Sequence, residues 1–300
     1  MPEMKMMAPL LSIIVPVSKM AGKLSNLRTW LEYASNYDVE VRIIHDRQDD
    51  FTGDELVRLI RELNNPRIFF CEEYFGAPGL ARNKGLEQAQ GKWICFWDSD
   101  DIPNLDTAVT VIQASARESN LLVGEFQRKS EMTGAILSRS NTSSVLQLAS
   151  DPGIWRIIFK RDVMLGVSFG GMRLGEDQLF LTTLPIEKLK IEFVEANLYT
   201  YFVGNNGHQS NNKRYVDDLL IGIDSLSDRI CNKRYFKEEI TETVLVNMIL
   251  TAFYRGRFTV RMSVLFALFG IYVRTSNKLK MRITKLVLSR INARINRHAE

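Results

Sequence analysis

Three hundred residues, 45% of them hydrophobic and 25% charged, suffice for one sizeable α/β core, alone or with an appendage, and exclude a disordered or fibrous chain. Three widely spaced cysteines, Cys71, Cys95 and Cys231, exclude a disulfide framework or a thiolate metal cluster and fit a reducing cytoplasm. The net charge of +4 is unevenly placed: from Arg255 to Ala299 there are eleven Lys and Arg and no Asp or Glu.

The opening "MPEMKMMAPLLSIIVPV" has an early acid and a proline and no small-residue cleavage site, so its apolar run reads as a first strand, Leu10 to Val17, rather than a secretory signal. Further strands are expected at Val39 to Ile44, Arg67 to Cys71 and Trp93 to Trp97. Between them "KLSNLRTWLEYA", "TGDELVRLIRELN" and "GLARNKGLEQAQG" carry apolar residues at helical spacing. Thr52 with Glu55 reads as a capping box for the second helix, and Gly91 as a stop after the third.

This alternation implies parallel strands joined by right-handed crossovers, with helices on both faces. Ligands of such sheets lie across the carboxyl ends of the strands, so Pro16, Asp46, Glu72 and Asp98 should gather at one edge. After a helix from about Asn104 to Ser119, "NLLVGEFQRK" is another strand, and the Ser-rich segment from Ser138 to Ser150 reads as a loop. "GIWRIIFKRDVM", "GEDQLF" and the strand-like "IEFVEANLYTYFV" form a less regular region; beyond "GNNGHQSNNK" the chain reads as helical. No apolar run reaches the roughly 18 residues a membrane span needs.

The chemistry concentrates where the fourth strand ends, in "FWDSDD". Asp98 and Asp100, two apart, can converge on one ligand, and carboxylate oxygens suit Mg²⁺ or Mn²⁺, which leave positions open for phosphate. Asp101 is expected to serve the N-terminus of the following helix, near Pro103. Arg82 and Asn83 lie on the preceding helix, where a cation can reach a phosphate or buttress the acids. The first β–α turn, "VPVSKMAGK", lacks G-x-G-x-x-G, which speaks against NAD or FAD.

"SIIVPV", "HD", "GLARNKGLEQAQGKWICFWDSDDIP" and "GED", in that order from Leu10 to Phe180, resemble the family 2 nucleotide-sugar glycosyltransferases of the GT-A fold. The resemblance implies a mostly parallel α/β sheet flanked by helices, with a C-terminal helical extension. A catalytic domain over 1–212 would divide into a nucleotide-sugar half, 1–130, and an acceptor-side half, 131–212, followed by a basic helical region, 213–300. It further implies that the backbone at Pro16 and Val17 and the side chain of Asp46 hold the base, that Asp98, Ser99 and Arg82 belong to the donor site, and that Asp100, with Asp98, ligates Mn²⁺ or Mg²⁺. At the second strand "HDRQDDFTGD" replaces the family's short D-D-G-S-x-D turn.

Inverting transfer needs a base for the acceptor hydroxyl, and an aspartate of reference pKa ~3.9 is ionised at neutral pH. Glu176 and Asp177 read by themselves as first-turn acids; the resemblance makes Asp177 the base, with Glu176 as runner-up. It also places Trp155, Arg156 and Lys160 of "WRIIFKRD" near the acceptor. His208, on a polar loop, is a weak candidate for metal or phosphate contact.

The basic tail suits either an interfacial helix on anionic lipid or a helical subdomain with solvated cations; nucleic acid is disfavoured because few aromatics interleave its cations. The reading is an inverting, metal-dependent transferase taking a nucleotide-diphosphate sugar, a UDP-sugar foremost, to a glycan or lipid-linked acceptor in bacterial surface polysaccharide synthesis. It would be cytoplasmic or peripheral on the inner membrane. Its competitors are a non-catalytic nucleotide-sugar-binding member of the fold and a nucleotidyltransferase.

Overall fold

The computed structural model describes residues 8–204, 213–232, 238–275 and 277–297. One continuous sheet carries β1 (Leu11–Val17), β2 (Val39–Asp46), β3 (Ile68–Glu73), β4 (Trp93–Phe96), β5 (Ile102–Pro103), β6 (Leu121–Ser130), β7 (Ile136–Ser140), β8 (Ile157–Lys160) and β9 (Ile191–Val203). Its order is β3-β2-β1-β4-β8-β6-β9-β5, with β7 paired to β6.

The sheet is mixed. Strands β3, β2, β1 and β4 are mutually parallel, as is β6 with β9. Strand β8 runs antiparallel between β4 and β6, and β5 and β7 are antiparallel to their neighbours. The parallel quartet follows from sequence because strand and helix patterns alternate; β1 reads as an almost continuous apolar run, whereas β2, equally buried, carries Glu40, Arg42, His45 and Asp46 inside. The reversal at β8 does not follow from sequence: four residues of "IIFK" give no sign of direction.

Helices α1 (Ser25–Ala34), α2 (Asp50–Leu63) and α4 (Leu105–Ala114) share one apolar cluster with Leu11, Ile13, Val15 and Val17 of β1. Helix α3 (Pro78–Gln88) lies on the opposite face: a Cβ added at Gly85 would come within 2.4 Å of Ile14, which only glycine permits. Alternation along β1 therefore feeds two layers, as a sheet with helices on both faces requires.

Two local expectations are corrected. The cap of α2 is Asp49, whose carboxylate accepts from the Thr52 amide at 2.7 Å, rather than Thr52 itself. Thr52 is buried, and its hydroxyl accepts from the Met20 amide while donating to Asp49, so it ties the β1–α1 loop to the helix. The segment from Ser138 to Ser150 is not all loop: it completes β7 and forms α5 (Val145–Ser150), short elements whose serines conceal their periodicity. Gly91 falls two residues beyond Ala89, the cap of α3, and is needed there because a Cβ would meet the Ser12 backbone nitrogen at 2.4 Å.

The chain forms two compact units. The first comprises Met1–Ser144, Gly153–Gly171 and Lys188–Asn205; the second comprises Val145–Pro152, Met172–Glu187 and Asn206–Glu300. Within the second, α5 and α6 (Glu176–Leu181) precede α7 (Leu219–Cys231), α8 (Glu238–Arg255), α9 (Phe258–Arg274) and α10 (Asn277–Arg297). Helix α8 is the centre of that unit: Val244, Leu245 and Met248 are fully buried, and Asn247 donates to the Ala149 and Ser150 carbonyls that end α5.

Candidate active site

The register aligns the carboxyl ends of the parallel strands. Val17 faces His45, His45 faces Glu72 and Asp46 faces Glu73; Phe96 pairs with Ile14, which carries the chain on to Asp98 beside the end of β1. Carboxylates and backbone from strands far apart in sequence thus share one edge.

Asp46 is buried and accepts from three donors, the amides of Phe75 at 2.8 Å and Gly76 at 3.1 Å and the side chain of Gln48 at 2.6 Å. It organises the loop between β3 and α3, where Gly76 has φ +73° and so suits glycine. Its neighbour His45 is fully buried, with Nδ1 2.7 Å from Glu72 Oε2 and the ring stacked on Phe70. A Cβ at Gly53 would press on both Glu72 and His45, so α2 approaches this edge as closely as a glycine allows.

At the end of β4 the acids separate. Asp98 is partly exposed and lies 2.8 Å from the Arg82 guanidinium, which is itself buried on α3 and 5.6 Å from the Phe169 ring centre. Ser99 is buried. Asp100 is partly exposed, and its carbonyl accepts from Asn26 of α1 at 2.7 Å, which fixes the turn that carries its carboxylate. Asn83 holds the Phe169 backbone through both its amide nitrogen and its oxygen.

Asp101 does not serve the following helix, contrary to expectation. Asn104 caps α4 by accepting from Thr107, while Asp101 is turned inward, 1% exposed, accepting from the Tyr199 hydroxyl at 3.0 Å and the Phe202 amide at 2.7 Å. Burial, reinforced by the charges of Asp100 and Asp98, raises its pKa well above the ordinary carboxylate value. The same Tyr199 hydroxyl accepts from the Asp98 amide at 3.0 Å, so one phenol ties both ends of the acidic turn to β9.

Sequence does not distinguish Tyr199, one aromatic among several in "NLYTYF". Its place is set by Trp155, stacked on it at 4.6 Å and 15°, with Phe126 edge-on to Trp155 at 4.5 Å. Arg156 is fully buried, donating to Ser140 and Thr142 hydroxyls with its guanidinium 4.8 Å from the Phe126 ring centre. Lys160 pairs with Trp93 at the amino end of β4, the end away from Asp98, and donates to the Arg117 carbonyl. Pro16 and Val17 close β1 at the aligned edge, Val17 buried and Pro16 partly so.

Glu176 and Asp177 belong to the second unit. They open α6 after Gly175, whose φ of +83° and 2.8 Å clearance from Leu219 reserve the position for glycine. Glu176 is buried; Asp177 is partly exposed and accepts from the Gln178 amide at 2.7 Å. Just before them Arg173 forms a paired contact with Asp218 at 2.7 and 2.9 Å. His208 lies outside the described residues.

A parallel quartet ending in carboxylates, continued through an antiparallel β8 into a second set of strands, is the GT-A architecture. S. aureus TarS, solved as residues 1–349 with UDP-GlcNAc, has the same fold at a TM-score of 0.67 and 17% identity, over 90% of this chain and 82% of that one. A mannosyltransferase from Pyrobaculum calidifontis, solved with GDP-Man and Mn²⁺, superposes at a TM-score of 0.58 and 15% identity, over 92% and 79%. The chain belongs to glycosyltransferase family 2: the model described as Glycosyl transferase family 2 matches residues 12–173. Among curated relatives, the GalNAc(5)-diNAcBac-PP-undecaprenol beta-1,3-glucosyltransferase of Campylobacter jejuni is 24% identical over 189 residues, which are 60% of this chain and 61% of that relative's length.

Proposed function

We propose that the protein is an inverting glycosyltransferase that moves a sugar from a nucleotide-diphosphate donor, foremost a UDP-sugar, to a hydroxyl of a glycan or lipid-linked acceptor in surface polysaccharide synthesis. The observation that carries this reading is the division of labour in "DSDD": Asp98 and Asp100 stay partly exposed at the aligned edge while Asp101 is spent on β9. UDP-GlcNAc in TarS and the polyprenyl diphosphate-linked acceptor in the name of the Campylobacter relative support the choice of donor and acceptor class.

In this reading Asp46 and the backbone of Pro16 and Val17 border the base, and Asp98 and Ser99 the nucleoside. Arg82 orients Asp98 and balances its charge. Mn²⁺ or Mg²⁺ fits the donor set, because two hard carboxylates leave most of an octahedral shell to water and phosphate. When bound, such a cation neutralises the charge that develops on the departing diphosphate. Asp177 accepts the proton of the acceptor hydroxyl, for which an ionised aspartate is suited at neutral pH, and Glu176 is the alternative base.

Transfer from a UDP-sugar with Mn²⁺ is expected to fall at least about 100-fold in Asp100→Asn, the scale of lost charge stabilisation at a transition state. Equal turnover in wild type and variant would sink the assignment. Asp177→Asn should abolish transfer yet leave donor affinity, read by calorimetry, within about twofold; loss of donor binding would assign Asp177 to structure instead.

A further inference from the structure

Helix α9 has two apolar faces and only one of them is covered. Val260, Val264 and Ile271 are buried and lie along one stripe. At 100° per residue the opposite stripe holds Phe258, Leu265, Phe266, Phe269, Tyr272 and Val273, and all six are exposed, four of them by two thirds or more of their surface or close to it: Phe258 76%, Phe266 70%, Phe269 67%, Val273 62%. No charged residue interrupts this stripe. A helix that is apolar on both sides is ordinarily buried all round or bathed in lipid, and a contiguous aromatic patch of this size is not neutral surface.

The charge around the stripe selects its cover. From Arg255 to Ala299 the chain has eleven cations and no carboxylate. Arg257 and Arg274 lie toward the covered side, the first paired with Asp217 and the second 4.0 Å from Asp228, while the exposed Arg261 borders the open stripe. Lys280 lies over the Tyr272 ring at 4.5 Å, which puts an ammonium group beside the aromatic border of the stripe. An aromatic, uncharged face rimmed by cations matches the acyl and phosphate layers of an anionic bilayer. A second copy would bring an equally basic rim against this one. No described helix is long and apolar enough to cross a membrane, so the contact is made along the surface.

We propose that α9 is a membrane-docking helix that lies flat on anionic lipid, with Phe266 and Phe269 at the centre of the inserted face. The proposal is independent of the transferase reading, because vesicles without acceptor or donor test it. Full-length protein should co-sediment with phosphatidylglycerol vesicles and not with phosphatidylcholine vesicles. The double variant Phe266→Ser, Phe269→Ser should bind at least about tenfold more weakly, since membrane binding scales with the apolar area inserted. Its melting temperature should match wild type, because both rings are exposed. Absence of co-sedimentation with phosphatidylglycerol, or equal binding by the variant, would overturn the proposal. So would a wild-type dimer in sedimentation velocity that the double variant disrupts while lipid is ignored, which would assign the face to a second copy.

Discussion

Tyr199 shows how much one side chain contributes to the acidic turn. Its hydroxyl is at once the acceptor for the Asp98 amide and a donor to Asp101, on a ring that is fully buried and stacked on Trp155. Tyr199→Phe keeps the stack and removes both bonds, leaving the buried Asp101 carboxylate with the Phe202 amide but without its second donor. Denaturant titration should register a loss of about 1–3 kcal/mol, the cost of buried polar groups left without partners. Donor affinity should fall as well, because Asp98 loses its backbone tether. An unchanged midpoint would show that the two bonds are replaced rather than lost. Asp98, Asp100 and Asp101 could be found in sequence as a cluster at a strand end, whereas their separation into two exposed groups and one buried group could not, because the partner of Asp101 lies ninety-eight residues away.

Among the elements, α6 depends on what precedes it. Arg173 donates to both oxygens of Asp218 and also presents its backbone amide, so the loop before Glu176 is fastened to the start of α7. Burial alone would raise the Asp218 pKa, but the Arg173 hydrogen bonds outweigh it and hold the carboxyl below its ordinary value of 3.8. A carboxyl whose folded pKa is depressed adds stability above the unfolded value and loses it as pH falls through the folded one. Wild type should therefore lose more stability than Asp218→Asn as the pH is lowered through and below the carboxyl's ordinary value of 3.8. Thermal unfolding followed across that range tests this, and parallel curves would refute it. The first four strands and their helices were legible because their signals are local: short apolar runs at β1 and β4, helical spacing in α1 and α2, and for α3, which carries little periodicity, its place between two strands. Strand β7 and helix α5 were not, since serines and a six-residue length leave no period to read.

For the molecule as a whole, a ligand that binds only the folded chain must raise its unfolding temperature. A UDP-sugar at about 100 times its Kd, with Mn²⁺, adds about 2.7 kcal/mol and should shift the melting temperature by several degrees, with other nucleotide sugars giving less. No shift with any nucleotide-diphosphate sugar would favour neither donor class and would count against the transferase site proposed at the β1–β4 edge.

Sequence by itself determined the parallel quartet, its helices on both faces and the acidic strand end, because hydrophobic period and strand-end position are local properties that survive without knowledge of neighbours. Only the tertiary structure decided the rest. It reversed β8 and made the sheet mixed, drew Asp101 inward, and buried Trp155 and Arg156 against Tyr199 and Phe126. It also gathered residues 145–152 and 172–187 into one compact unit with the C-terminal helices. Helix α9 makes the reason plainest: its apolar residues are visible in the sequence, but which stripe is covered and which is left exposed depends on packing against distant segments, and periodicity does not report that.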